Sequence, residues 1–271
     1  TEFFLFQMQL AQLLSQRNED APGVEKKYDL AAVKELIEEI PFELSDDQKK
    51  VVNEIFADLH SKRQMRRLLQ GDVGSGKTVV AVFAIYAAVT AGYQAALMVP
   101  TEILAQQHFA KIDELLKPLG VRVALLTGDT KDLEKKEIYR ELADGTINVV
   151  IGTHALIQKD VHFKDLGLVI IDEQHRFGVN QRNTLIKKGD APDILAMTAT
   201  PIPRTLALTV YGDMAVSEIR HLPKGRKPVV SSWATSSKLR EVLDLMRSQL
   251  DKGFQIYVVT PLISESEKSD L

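Results

Sequence analysis

Apolar residues recur along this chain in two alternating rhythms. Short apolar runs at Leu68-Leu69, Ala95 to Val99, Val121 to Leu126, Val149 to Ile151, Leu168 to Ile171 and Ile194 to Met197 have the length of buried strands. Between several of them, residues 79–91, 101–117 and 131–143 read as helices. Strand and helix in alternation predict βαβ units, hence an α/β fold with a mostly parallel sheet covered by helices on both faces.

The ends of the chain follow a different pattern. Residues 2–17 are apolar at nearly every helical position, with Phe3, Phe6, Leu10 and Leu13 on one stripe and Phe4, Met8 and Ala11 beside it. So broad a face packs on the domain that follows, or in part met a domain on its N-terminal side. A polar loop with Pro22-Gly23 comes next, then a helix from about Leu30 to Ile40 that Pro41 stops. Near the other end, Leu222 to Pro228 combines two prolines, a glycine and three positive charges, the composition of an exposed linker. A strand at 229–234, a helix at 236–252 and a strand at 254–260 are expected beyond it. We therefore divide the chain into an N-terminal helical linker (1–40), a complete α/β domain (41–222), and a linker with the truncated start of a second domain (223–271). The last piece, of about 43 residues, is too short to bury a full core.

Composition narrows the chemistry. The 271 residues include no cysteine, which removes disulfides, thiol nucleophiles and cysteine-based zinc or iron–sulfur sites. The longest apolar run, Val79 to Val89, has 11 residues, far short of the roughly 20 that span a bilayer, so no membrane contact is expected. With 34 Lys+Arg against 37 Asp+Glu, the net charge is −3. Any contact with nucleic acid must then be made by a local patch. The chain opens on Thr1 without a signal pattern and reads as a fragment of something longer.

The strongest motif is Gly71-Asp72-Val73-Gly74-Ser75-Gly76-Lys77-Thr78, which fits G-x-x-x-x-G-K-[ST] at each fixed position, after an apolar pair and before an apolar helix. Its glycines let backbone N–H groups converge on phosphate oxygens at a helix N-terminus. Lys77 is expected to reach the β and γ phosphates and Thr78 to ligate Mg²⁺. Downstream, the run Leu168 to Ile171 leads into Asp172-Glu173-Gln174-His175. Two acids after a strand of a parallel sheet stand where α/β ligand sites form. Asp172 is assigned to Mg²⁺, Glu173 to the attacking water, and His175 to sensing the γ-phosphate.

Thr198 and Thr200, after the next strand, are expected to couple hydrolysis to movement. Gln48 has two readings: Ser45-Asp46-Asp47-Gln48 is a capping box, or the Gln48 amide meets an adenine edge while Phe42 packs on its ring. The cluster Lys62-Arg63-Gln64-Met65-Arg66-Arg67 is either a solvated face or a phosphate-backbone contact.

Taken in order, the phosphate loop, Pro100 to His108, Thr127-Gly128-Asp129, Gly152 to Ile157, Asp172 to His175 and Thr198 to Pro201 resemble the superfamily 2 helicases and translocases. The strings Asp172 to Val179 and Met197 to Ala207 are similar to the RecG family within it. In the related Mfd motors the position of Gln174 usually carries a second Glu. The resemblance implies a RecA-like P-loop NTPase lobe at 41–222, with ATP and Mg²⁺ as cofactors and a bacterial cytoplasmic setting. It also implies a forked or branched duplex DNA partner, remodelled at stalled forks and Holliday junctions. A wedge domain and a second motor lobe of the same protein would complete the machine. It implies DNA phosphate contacts at Pro100, Thr101, Glu102, Gly128, Thr153 and His154, and a coupling role for Gln174 and Arg204. Since the second lobe supplies arginines for phosphoryl transfer, the fragment is expected to bind nucleotide better than it hydrolyses it. An Mfd-like transcription-repair motor and a bare nucleotide-binding module are the alternatives.

Overall fold

The computed structural model describes residues 8, 22–200, 214–220 and 230–259. The expected N-terminal helix around Phe3 to Leu13, the linker Leu222 to Pro228, and Arg204 with the string Pro201 to Ala207 lie outside the described residues, apart from Met8. The chain forms two compact units, Thr1–Gly225 and Arg226–Leu271.

The first unit is built on seven strands: β1 (Arg66–Gly71), β2 (Gln94–Met98), β3 (Val123–Leu126), β4 (Val149–Gly152), β5 (Leu166–Ile171), β6 (Asp193–Thr198) and β7 (Ala215–Ile219). They form one sheet in the order β3-β4-β2-β5-β6-β1-β7. Each of its six pairings is parallel, as the alternating pattern predicts. Six α-helices of this unit are described: α1 (Leu30–Glu39), α2 (Asp46–Leu59), α3 (Lys77–Thr90), α4 (Glu102–Leu116), α5 (Asp132–Asp144) and α6 (Val179–Ile186), besides 3-10 turns at His154–Ile157 and Gln174–Arg176.

Side chains of a strand alternate between faces, and here the alternation sorts them into two cores. Ala95, Leu97, Leu168, Ile170, Leu195 and Met197 pack on the side of α1 to α4. Their neighbours Ala96, Met98, Val169 and Ile171 pack on the side of α5 and α6. Strands β2, β4, β5 and β6 are buried along their whole length, which is why they read as unbroken apolar runs. The apolar run after the phosphate loop has its cause here too. Val80 to Ala88 of α3 are all buried, because this helix lies under α1, α2 and α4.

The amino edge of the sheet is closed by buried polar pairs. Lys26 reaches back from residues 22–28 to Asp193 at the start of β6, Nζ to Oδ2 at 2.5 Å, with both side chains buried. The Gln94 amide donates to the Leu142 and Ile147 carbonyls and accepts from the Lys164 and Asp165 amides, at 2.7–3.0 Å.

Two elements of this unit were not predicted. β7 is an edge strand with a mixed burial pattern, and α6 is a short, weakly amphipathic helix. The second unit corrects an expectation. Its helix α7 (Leu239–Asp251) forms, but residues 230–234 and 254–259 are not strands. A strand needs a neighbour for its backbone N–H and C=O groups, and the described residues of that unit offer none. Among the described residues no helix is long and apolar enough to cross a membrane.

Candidate functional site

Because all seven strands run the same way, their carboxyl ends lie along one edge of the sheet. The loops that carry the motifs leave from that edge and divide it in two. At the ends of β5, β6 and β1 stand Asp172, Thr198 and the phosphate loop. After β3, β4 and β2 come Gly128, Thr153-His154 and Pro100 to Glu102. Motifs up to about 130 positions apart in sequence thus become neighbours.

The phosphate loop is held by its glycines. Gly74 and Gly76 have φ of 76° and 89°, the left-handed region where a side chain is strained. Gly76 is also the N-cap of α3, and a Cβ there would overlap the Gln48 amide nitrogen. Gln48 is buried, donates from Nε2 to the Ser75 carbonyl at 2.9 Å and accepts at Oε1 from the Ser45 amide at 2.8 Å. Ser45 in turn accepts from the Gln48 amide, so the capping box is formed. Gln48 therefore braces the loop from behind, and it is Phe42, half exposed, that lines the cavity.

Lys77 folds back over the loop, donating from Nζ to the Gly71 carbonyl at 2.6 Å and to the Asp72 carbonyl at 3.0 Å. Burial holds its pKa below the usual lysine value, while Asp172, Glu173 and Asp72 pull it back up. The Val73 amide donates to the Asp72 carboxylate at 2.7 Å. Ser75 is buried with its hydroxyl unpartnered.

Across from Lys77, Asp172 continues β5 by donating its amide to the Met98 carbonyl at 2.9 Å. One of its carboxylate oxygens accepts from the Glu173 amide at 3.0 Å, and the other lies 2.9 Å from His108 Nε2 on α4. Glu173 sits in the left-handed region at φ 48° and ψ 50°, a conformation that costs a non-glycine residue roughly 1–2 kcal/mol. Its carboxylate lies 3.4 Å from His175 Nδ1. Gln174 is buried and accepts from Arg182 at 3.3 Å. Thr198 and Thr200 share a hydroxyl–hydroxyl bond of 2.9 Å.

Phe42, Val73, Gly74, Gly76, Lys77, Thr78, Asp172 and Glu173 thus surround one cavity of about 800 Å³. Gln48, Gly71, Asp72, Ser75 and His175 do not line it. His108 does line it, and sequence reasoning gave it no role. Its place seven residues after Thr101, two turns along a helix whose inner face is buried, was the available signal.

The hydroxyl, carboxylate and water-accessible space at Thr78 and Asp172 form an oxygen donor set of the kind Mg²⁺ takes. The half-buried lysine amine and the glycine-shaped cradle fit a polyphosphate. The residues present fit both groups.

The other half of the edge is less uniform. Thr101 is the N-cap of α4, accepting from the Leu104 amide, and Glu102 reaches toward Gly128, its carboxylate 2.9 Å from where a Cβ would stand there. Thr153 corrects an expectation: it is 2% exposed with its hydroxyl facing inward, so the hydroxyl is not open to a phosphate. His154 beside it is exposed. The basic cluster Lys62 to Arg67 precedes and begins β1, so it lies at the amino edge, away from the motif loops. Its Arg67 is buried and bound to Glu54, Asp58 and Ser217.

Comparison with known proteins places this geometry. Residues 45–209 match the model of the DEAD/DEAH box helicases. The chain is 53% identical over 270 residues to the ATP-dependent DNA helicase RecG of Streptococcus pneumoniae, covering 100% of this chain and 40% of that one. It is 54% identical over 267 residues to RecG of Staphylococcus aureus, covering 98% and 39%. It thus spans about two fifths of the length of these curated relatives. A solved structure of RecG bound to a three-way DNA junction matches with a TM-score of 0.83 and 46% identity, over 97% of this chain and 35% of that one.

Proposed function

We infer the function from one premise: the chain belongs to the DEAD/DEAH box helicase family. On that premise it is the ATP-binding lobe of a motor that moves on branched duplex DNA, as in the fork and junction remodelling for which RecG-like enzymes are built. The observation that carries this reading is the convergence of Lys77, Thr78, Asp172 and Glu173 on one cavity at the carboxyl edge of the sheet. The RecG names of relatives above 50% identity, and Gln174 in place of a second acid, favour this over an Mfd-like motor.

In this reading the loop from Gly71 to Thr78 cradles the triphosphate with backbone N–H groups. The Lys77 amine exchanges its two carbonyl partners for β and γ oxygens. Phe42 supplies an apolar platform for the base. Thr78 and Asp172 would hold Mg²⁺, which when bound neutralises charge on the phosphates. Glu173 orients the attacking water and receives its proton. His175, against Glu173, reports the γ-phosphate, and the Thr198–Thr200 pair with Gln174 and Arg204 carries the signal outward. DNA phosphates run along the β3-β4-β2 half of the edge, met by Pro100, Thr101, Glu102, Gly128, His154 and the Thr153 backbone. Contacts to phosphates carry no base information, which suits a motor that crosses any sequence.

No arginine among the described residues lines the cavity, and an arginine on the transferring phosphoryl group is worth on the order of 10³ to 10⁵ in rate. The lobe therefore binds ATP well and turns it over slowly until a second lobe completes the site. The test is ATP turnover with and without forked DNA, for this chain and for one carrying a second motor lobe. The two-lobed chain should be fork-stimulated and Lys77→Ala should abolish its turnover; retained turnover in that variant would refute the site.

A further inference from the structure

His108 is almost wholly buried, and its Nε2 lies 2.9 Å from an oxygen of Asp172, itself 8% exposed. Taking an imidazole and a carboxylate out of water is unfavourable unless each satisfies the other, and an apolar pair of similar volume packs at least as well. The contact therefore needs a reason beyond packing. The second oxygen of Asp172 accepts from the Glu173 amide at 3.0 Å. The carboxylate is thus fixed at both oxygens, from two separate elements, which sets the plane in which its remaining lone pairs point. A carboxylate only accepts, so Nε2 carries the proton in this pair.

We infer that His108 is a positioning residue: it orients the Asp172 carboxylate so that one remaining lone pair faces a divalent cation in the cavity. This rests on the reading of Asp172 as cation ligand given above. His108 touches neither nucleotide nor reacting water in this scheme; it acts through Asp172. Groups that orient a metal ligand typically contribute about 10- to 100-fold to metal affinity.

The experiment measures binding of fluorescent ADP to the chain, in excess Mg²⁺ and in EDTA. For His108→Ala, affinity in Mg²⁺ should fall about tenfold while affinity in EDTA stays within about twofold of the parent. His108→Gln, whose amide nitrogen reaches about as far as Nε2 and donates, should restore the Mg²⁺ affinity. His108→Asn, one carbon shorter, should not. Equal affinity of parent and His108→Ala in Mg²⁺ overturns the inference, and so does an equal loss in both buffers, the mark of a packing role. If the alanine variant does not fold, the glutamine and asparagine variants carry the test, and equal behaviour of those two overturns it. Lys77→Ala separates the two levels of argument. If it binds the nucleotide as the parent does, the nucleotide site itself is misassigned; if it loses binding while His108→Ala is unaffected, only the role of His108 fails.

Discussion

Gly76→Ala puts the coupling between the phosphate loop and Gln48 to a quantitative test. The substitution acts twice. At φ 89° an alanine pays about 1–2 kcal/mol for the left-handed region. The new Cβ also stands where the Gln48 amide nitrogen lies, so Gln48 must leave, giving up its bonds to the Ser75 carbonyl and the Ser45 amide. At about 1 kcal/mol each, those bonds contribute about 2 kcal/mol, and Gly76→Ala should cost about 3–4 kcal/mol in all. Gln48→Ala loses the same two bonds and should cost about 2 kcal/mol. In the double variant there is no Gln48 side chain to displace, so its cost should match that of Gly76→Ala alone. Independent effects would give about 5–6 kcal/mol, so the coupling is about 2 kcal/mol, well above the few tenths that separate independent sites. Urea unfolding of the four proteins, followed by circular dichroism, reads the cycle. A double variant whose cost equals the sum of the singles would show that Gln48 does not brace the loop.

Other substitutions test the rest of the framework. Gln94→Leu takes the Gln94 bonds from the Ile147 carbonyl and the Asp165 amide, while the Leu142 carbonyl and the Lys164 amide keep their bond to each other, and should cost about 2 kcal/mol or more in the same unfolding assay. Lys26→Met strips the buried Asp193 of its counter-charge and should cost about 3–5 kcal/mol at neutral pH. Burial already raises the Asp193 pKa, against the pull of Lys26. A carboxylate with a raised folded pKa takes up a proton more readily when folded, so the deficit of Lys26→Met should shrink as pH falls through that value; a deficit that does not change with pH would count against the pair. Ala191, at φ 47°, should be replaceable by glycine with a gain of up to about 1 kcal/mol, seen as a higher urea midpoint.

How much of this was legible in the sequence follows from what is local and what is not. The parallel sheet was legible because strands buried on both faces are apolar through their middles, as β2, β5 and β6 are, with the polar Gln94, Asp193 and Thr198 only at strand ends. β7 was not, because it lies at the edge of the sheet: Ala215 is exposed, Val216 and Glu218 are half-buried and only Ser217 and Ile219 are buried, so the run never becomes apolar throughout. In the second unit the amphipathic periodicity of α7 was enough to place a helix, whose hydrogen bonds are internal. The two flanking segments failed as strands because a strand's hydrogen bonds come from elsewhere.

The same distinction decides the candidate site. The phosphate loop is eight consecutive residues whose conformation is set by its own glycines, so the motif and its chemistry can be read together. The acids of Asp172-Glu173 announce themselves by following an apolar run. What no local pattern contains is the partner of each group. Gln48 meets Ser75 across 27 positions and His108 meets Asp172 across 64, because α2, α4 and β5 are brought together only by the sheet order. Both of the readings offered for Gln48 came from its neighbours in sequence. The capping box was real, yet the bond that ties it to the loop could not be seen from there. Thr153 failed for the complementary reason: a hydroxyl after a strand suits a phosphate, but whether it turns toward solvent depends on packing around β4, and there it turns inward. Sequence therefore named residues that gather on the carboxyl edge, while the fold determined which side chains hold them in place.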